Sequence, residues 1–260
     1  MRLRTRTTRR VATAGLALAT AAALTACSTD NDDDGGDATA AEPQDSAEVN
    51  TAPPQAPVEE LVLAEGEAPG NGVVQVIDPE LLQEAVDKLV ADQSRQLMDN
   101  PACDTVSRLE TVSNHATTDG VTAAVRYKQS EEDDTEHRFG IGMVDQRLDE
   151  FLDRSLYEAC DESQSSANPN GQLFMYVEDA PEVEGTEGFR VISDFVTTNP
   201  DGTTSLSRAV ALHGYARDTT VSVEYAARGD DPEADPVLPT AAGALDAIYT
   251  AQMEKVVNAE

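Results

Sequence analysis

The stretch FRVISDFVTTNPDGTTSLSRAVALHGYARDTTVSVEYA, residues 189–226, decides the fold. Its longer segments are rich in Val, Ile, Phe, Thr and Tyr, which suit a pleated, half-buried surface, and two short polar breaks divide them. Asn199-Pro200-Asp201-Gly202 and Arg217-Asp218 read as hairpin turns, giving strands at 189–198, 204–216 and 219–226. Strands joined by such short turns pair antiparallel. A further strand at 172–178 leads into this run.

Moving towards the N-terminus, the same period of two returns. Val121, Ala123, Val125 and Tyr127 line one face of a strand, and Phe139, Ile141 and Met143 line one face of the next. The polar run 129–136 between them is a hairpin tip. Gly140 and Gly142, flanking Ile141, mark a place where either a helix or a ligand approaches the sheet closely, helix packing being the favoured reading. Further upstream, Leu61-Val62-Leu63 and Val73-Val74-Gln75-Val76-Ile77 read as two short strands around a Gly- and Pro-rich turn.

Helical spacing appears in three places. Asp78-Pro79 supplies an N-cap and a first-turn proline, and Leu82, Ala85, Val86 and Leu89 follow at i, i+3, i+4 and i+7, predicting a helix over 79–98. A second helix is expected over 145–160, with Leu148, Phe151, Leu152, Ser155, Leu156 and Ala159 inward and Glu150 set to pair with Arg154. The third spans 240–257, with Leu245, Ile248, Tyr249, Met253 and Val256 on its apolar side. The pattern predicts one α+β domain over 58–260: a mostly antiparallel sheet with two or three long helices packed on it.

Charge narrows the partners. The chain of 260 residues carries 18 Lys plus Arg against 49 Asp plus Glu, a net charge of -31 that repels nucleic-acid backbones and anionic surfaces. Aromatic residues make up 4% and Trp is missing, so the expected core is aliphatic.

Residues 1–26 read as an export signal. Arg2, Arg4, Arg6, Arg9 and Arg10 form a basic start, and Val11 to Ala23 is an apolar run shorter than a membrane-spanning helix requires. It ends in Leu24-Thr25-Ala26-Cys27, a lipobox pattern that makes Cys27 the lipidation site. Arg9-Arg10 also leaves twin-arginine export open beside the general route. Cleavage before Cys27 removes five Arg and no acid, leaving 13 basic against 49 acidic side chains, or -36. Two or three acyl chains at Cys27 hold such a protein on the membrane without a basic patch, since each buried methylene contributes about 0.8 kcal/mol. The expected location is the extracytoplasmic face of the cell membrane, with membrane lipid as one partner.

Residues 27–57 read as an acidic tether rich in Pro and Ala, without the apolar side chains needed to offset backbone ordering. Asp30-x-Asp32-x-Asp34-Gly35 resembles the start of an EF-hand loop, but Ala41 stands where the bidentate Glu is required, which makes it a solvated spacer. Cys103 and Cys160 remain once Cys27 is acylated. In an exported chain they are expected to form a disulfide across a separation of 57 residues; a redox or metal-binding pair is the alternative.

Several of these elements together resemble a known family. Leu61-Val62-Leu63 leading into Asp78-Pro79-Glu80-Leu81-Leu82-Gln83, Pro101-Ala102-Cys103, Leu148-Asp149-Glu150-Phe151-Leu152, Tyr157-Glu158-Ala159-Cys160, and the strand pair at 207–212 and 220–223 followed by an Ala-rich terminal helix are similar to the extracellular sensor domains named after the mycobacterial serine/threonine kinase PknH. Across residues 60–258 the resemblance implies an antiparallel α+β domain with a cleft that senses ligand outside the membrane, in kinases or in free-standing lipoproteins. The chain departs from that family in having no second cysteine pair on its last strands and no kinase domain, so a free-standing binding lipoprotein is what it implies here.

Motifs for chemistry are few. The sequence holds no G-x-S-x-G, H-E-x-x-H, Walker-type or G-x-G-x-x-G pattern. Its three histidines, His115, His137 and His213, are each a possible general base, though a lone His is more often structural. Ser207 with His213 permits a triad on paper. The acidic runs 131–136 and 230–235 read as solvated loops rather than Ca²⁺ or Mg²⁺ sites, lacking fixed ligand spacing. The expectation is a non-catalytic binding domain without cofactor or metal, its envelope ligand or protein partner unspecified. A hydrolase with an unrecognised site and an inert surface protein are the alternatives.

Overall fold

Alternating apolar residues build a single antiparallel sheet whose two faces are covered by different helices. The computed structural model describes residues 50–93, 98–128, 136–166, 168–229 and 235–260. They lie within one compact unit, Ala47–Glu260. The order is α1 (Val58–Leu61), β1 (Val73–Val76), α2 (Pro79–Gln93), α3 (Pro101–Ala116), β2 (Val121–Tyr127), β3 (His137–Val144), α4 (Arg154–Ala159), β4 (Glu162–Ser165), β5 (Asn168–Asp179), β6 (Glu187–Thr198), β7 (Thr204–Ala216), β8 (Thr219–Gly229) and α5 (Pro239–Val257).

The eight strands lie in the order β1-β2-β3-β8-β7-β6-β5-β4, and every neighbouring pair is antiparallel. β4 to β8 form a meander, and β8 then docks on β3. At the β7–β8 turn, Arg217 (φ 48) and Asp218 (φ 63) both take the left-handed conformation, the signature of the primed turn that matches strand twist. The Arg217 side chain holds that turn in place. Its guanidinium donates to the carbonyls of Ala52 (2.7 Å), Val257 (3.0 Å) and Ala259, satisfying acceptors left over at the end of α5.

One face of the sheet packs on α5. Leu245, Ile248, Tyr249 and Met253 bury against Ile141, Met143, Leu212, Val221 and Val223. The segment 61–63 joins this layer, and the buried Gln252 side chain binds its backbone: Leu63 N–H donates to Gln252 Oε1 (3.0 Å), and Gln252 Nε2 donates to the Leu61 carbonyl (2.9 Å). The opposite face packs over β5 and β6 on α3 and α4, where Val106 and Tyr157 meet Met175, Phe189 and Val191. The Cys103–Cys160 disulfide joins those two helices, with a Cα–Cα distance of 4.6 Å.

The structure corrects several expectations. Leu61-Val62-Leu63 is not a strand but the end of the one-turn α1 and the extended residues after it. Residues 101–116, which carry no predicted helix, form α3. The helix expected over 145–160 shrinks to α4, because Asp153 caps it by accepting the Ser155 N–H at 3.0 Å and turns occupy the residues before it. Arg154 pairs with Glu158 (2.8 Å) and Asp179 (2.6 Å) rather than with Glu150. The short strand β4 is an addition. The long helices are therefore α2, α3 and α5. The export signal, Cys27 and the tether up to residue 49 lie outside the described residues, as does the hairpin tip 129–135. Among the described residues no helix is long and apolar enough to cross a membrane.

Candidate functional site

The helices do not cover the second sheet face completely. Between α4 on one side and the outer end of β3 on the other, a groove of about 320 Å³ runs over β3, β8, β7 and β6. That volume lies at the small-molecule end of ligand pockets. Its floor is made of side chains too short to fill it: Gly140 on β3, Ala226 on β8, Ala209 and Ala211 on β7 and Ser193 on β6. At Gly140 an added Cβ meets no atom within 4 Å, so the glycine is not there to admit a packed helix. Gly142 behaves in the opposite way, its would-be Cβ lying 2.9 Å from Thr117 Cγ2. Of the two glycines around Ile141, one is closed over and the other borders open space.

Glu224 stands in the middle of the groove. Register places Gly140 opposite it on β3 and Ala211 opposite it on β7, so neither neighbour crowds the carboxyl. Ser222, two residues back on the same face, donates its hydroxyl to Glu224 Oε1 at 3.0 Å. Glu224 is exposed, its carboxyl open to water within the groove, though the walls around it desolvate it in part. That desolvation raises its pKa, against the lowering effect of the Ser222 hydrogen bond. Among the described residues no Lys or Arg forms an ion pair with it. Arg138, at the rim, pairs instead with Glu136 at 3.1 Å.

His213 closes the inner end of the groove. It is 2% exposed and sits among Phe151, Tyr157 and Phe189, with ring centroids at 4.3, 5.5 and 5.4 Å. Burial pushes its pKa down to about 3, so the imidazole is neutral. Its Nδ1 has no hydrogen-bond partner, although Ser222 lies opposite in register. A smaller recess of about 80 Å³ continues under Leu82, Leu148 and Phe151; it shares Gly140 and Glu224 with the groove and contains the unpartnered Thr122 hydroxyl.

The remaining candidates do not assemble. Ser207 and His213 are six residues apart on one strand, about 20 Å, which removes the paper triad. His137 is buried on the α5 face, its Nδ1 3.0 Å from the Tyr225 hydroxyl. His115 lies on α3, and its side chain is outside the described set. The acidic runs at 131–135 and 230–234 are likewise outside it, whereas Asp235 pairs with Arg208 at 2.8 Å. Among the described residues no three His, Cys, Asp or Glu side chains come together as a metal cluster. Sequence reading missed Glu224 and the bare floor around it. The available signal was the small residues at alternate positions, Ala209 and Ala211 on β7 and Gly140 on β3, where strands buried under helices usually carry larger side chains. No family model, no curated protein and no solved structure matches the chain.

Proposed function

We propose that this protein is a lipid-anchored extracytoplasmic lipoprotein whose α+β domain binds a small envelope ligand without catalysis, in the manner implied by its resemblance to PknH-type sensor domains. Cys27 carries the lipid, the acidic segment after it spaces the domain from the membrane, and the groove over β3, β8, β7 and β6 receives the ligand. One observation carries the binding assignment: a groove of about 320 Å³ whose floor residues leave its volume empty, with a carboxyl at its centre that forms no ion pair among the described residues. Two unsatisfied polar groups, His213 Nδ1 at its inner end and Thr122 Oγ1 in the adjoining recess, support the same reading, because buried polar atoms ordinarily find partners. A non-catalytic role is favoured because, among the described residues, the histidine at the groove is neutral and its Nδ1 forms no hydrogen bond to a hydroxyl or thiol.

The test compares wild type with Gly140→Phe, which blocks the groove from a position where a side chain meets nothing. Small molecules extracted from the native envelope should stabilise wild type thermally, by about 2.7 kcal/mol at a hundredfold excess over the dissociation constant, and should leave Gly140→Phe unchanged. Equal stabilisation of both proteins would place the ligand elsewhere.

A further inference from the structure

We infer that the groove is built for an organic ammonium ion, seated with its charge on Glu224 and its hydrocarbon part along Ala209, Ala211, Ala226 and Val191. The inference rests on the groove being the ligand site and names the chemistry that site selects.

Four features of the groove point to a cation. Glu224 is exposed within the groove, so its carboxylate is open to an incoming cation, and the walls around it focus its field more than a flat surface does. Among the described residues Glu224 receives a single hydroxyl donor, at 3.0 Å, and no cation. The small residues opposite it, Gly140 and Ala211, leave the approach to the carboxyl clear from both neighbouring strands. Of the two basic side chains in the lining, Arg138 pairs with Glu136 at the exposed rim and His213 is uncharged. The net charge of -31 further raises the local concentration of any cation near the mouth.

The rest of the lining sets the form of the cation. Apart from Glu224, Ser193, His213, Arg138 and Tyr225, the walls are Ala, Gly and Val, which give an alkyl body an apolar surface and a metal ion no second carboxylate. A hydrated metal ion finds one carboxyl here, whereas a primary ammonium on an apolar stem satisfies both the charge and the floor.

The experiment uses n-hexylammonium as probe, with hexan-1-ol and hexanoate as uncharged and oppositely charged counterparts, titrated into the full mature protein and followed by amide chemical shifts. The ammonium should bind saturably, shifting residues 138–142, 209–213 and 222–226, at least tenfold more tightly than the alcohol or the acid. Glu224→Gln should weaken it at least tenfold while folding as well as wild type, since the side chain is exposed and its amide oxygen still accepts the Ser222 hydroxyl. Gly140→Phe should abolish it. Equal binding of hexan-1-ol, preference for hexanoate, indifference to Glu224→Gln, or no saturable binding of the ammonium would each overturn the inference. None of these touches the groove reading, which fails only if envelope extract stabilises Gly140→Phe as well as wild type.

Discussion

Gly188 and Gly214 stand opposite each other in the β6–β7 ladder, and the tip of Tyr249 from α5 occupies the space their missing side chains leave. A Cβ at Gly214 would lie 2.6 Å from the Tyr249 hydroxyl and 2.9 Å from Met253 Sδ; one at Gly188 would also come within 2.8 Å of the His213 carbonyl. The helix is thus seated on the sheet by two absent side chains rather than by a hydrogen bond, since the Tyr249 hydroxyl has no partner and burial raises its pKa to about 12. Gly214→Ala should destabilise the fold by about 1–3 kcal/mol through overpacking. Tyr249→Phe removes an unsatisfied hydroxyl and should be close to neutral. Denaturant titration of the double variant should recover part of the Gly214→Ala loss, because both changes act on one contact; simple additivity would show that they do not share it.

Loss of the disulfide should be felt as one event. Cys103→Ser and Cys160→Ser should lower stability equally, by about 4 kcal/mol on the chain-entropy argument for a 57-residue separation. The double variant should add nothing. Thermal melts of the three proteins check this, and a marked inequality between the single variants would show that one cysteine contributes chiefly through packing beside Tyr157.

His213 gives the fold a pH dependence of definite sign. Its pKa falls from 6.5 to about 3 on burial, so the unfolded chain takes up a proton below 6.5 while the folded chain stays neutral. The associated stability is complete above 6.5 and is lost as the pH falls through this window, at about 1.4 kcal/mol per unit. His213→Leu should flatten this slope. Urea unfolding at pH 6.5 and pH 5, where few carboxylates titrate, should show wild type losing stability relative to the variant. A parallel loss in both would contradict neutral burial.

Arg208 bridges two acids of unequal burial. It binds Asp194 through two hydrogen bonds of 2.6 Å, and Asp194 is 7% exposed, whereas Asp235 is mostly exposed. Asp194→Ala should cost about 3 kcal/mol and Asp235→Ala less than about 1 kcal/mol. Equal costs in chemical denaturation would show that the buried contact confers no advantage.

Much of the sheet was legible because its strands alternate cleanly and its turns carry Asn-Pro-Asp-Gly and Arg-Asp. α3 was not, although Asn100-Pro101 repeats the cap-and-proline signal of Asp78-Pro79, and Asn100 Oδ1 accepts the Ala102 N–H at 2.9 Å. The Thr, Ser and Asn residues along 105–114 have low helix propensity and masked the spacing of Cys103, Val106 and Leu109. Leu61-Val62-Leu63 misled for another reason. Three apolar residues are too few to fix a period, and the partner of their backbone is the Gln252 side chain, 189 residues away from Leu63. The groove depends on what helices leave uncovered: the small residues at 140, 209 and 211 hint at it, but no local pattern says where a helix stops short. Gly140 and Gly142 look alike in sequence and differ only because Thr117 arrives over one of them.

A native mass spectrum of the protein taken gently from its own envelope tests the account most directly. It should show a chain beginning at an acylated Cys27, carrying a small amine-containing molecule that Gly140→Phe does not retain. An unmodified terminus, or identical spectra for wild type and Gly140→Phe, would contradict a lipid-anchored protein that binds through this groove.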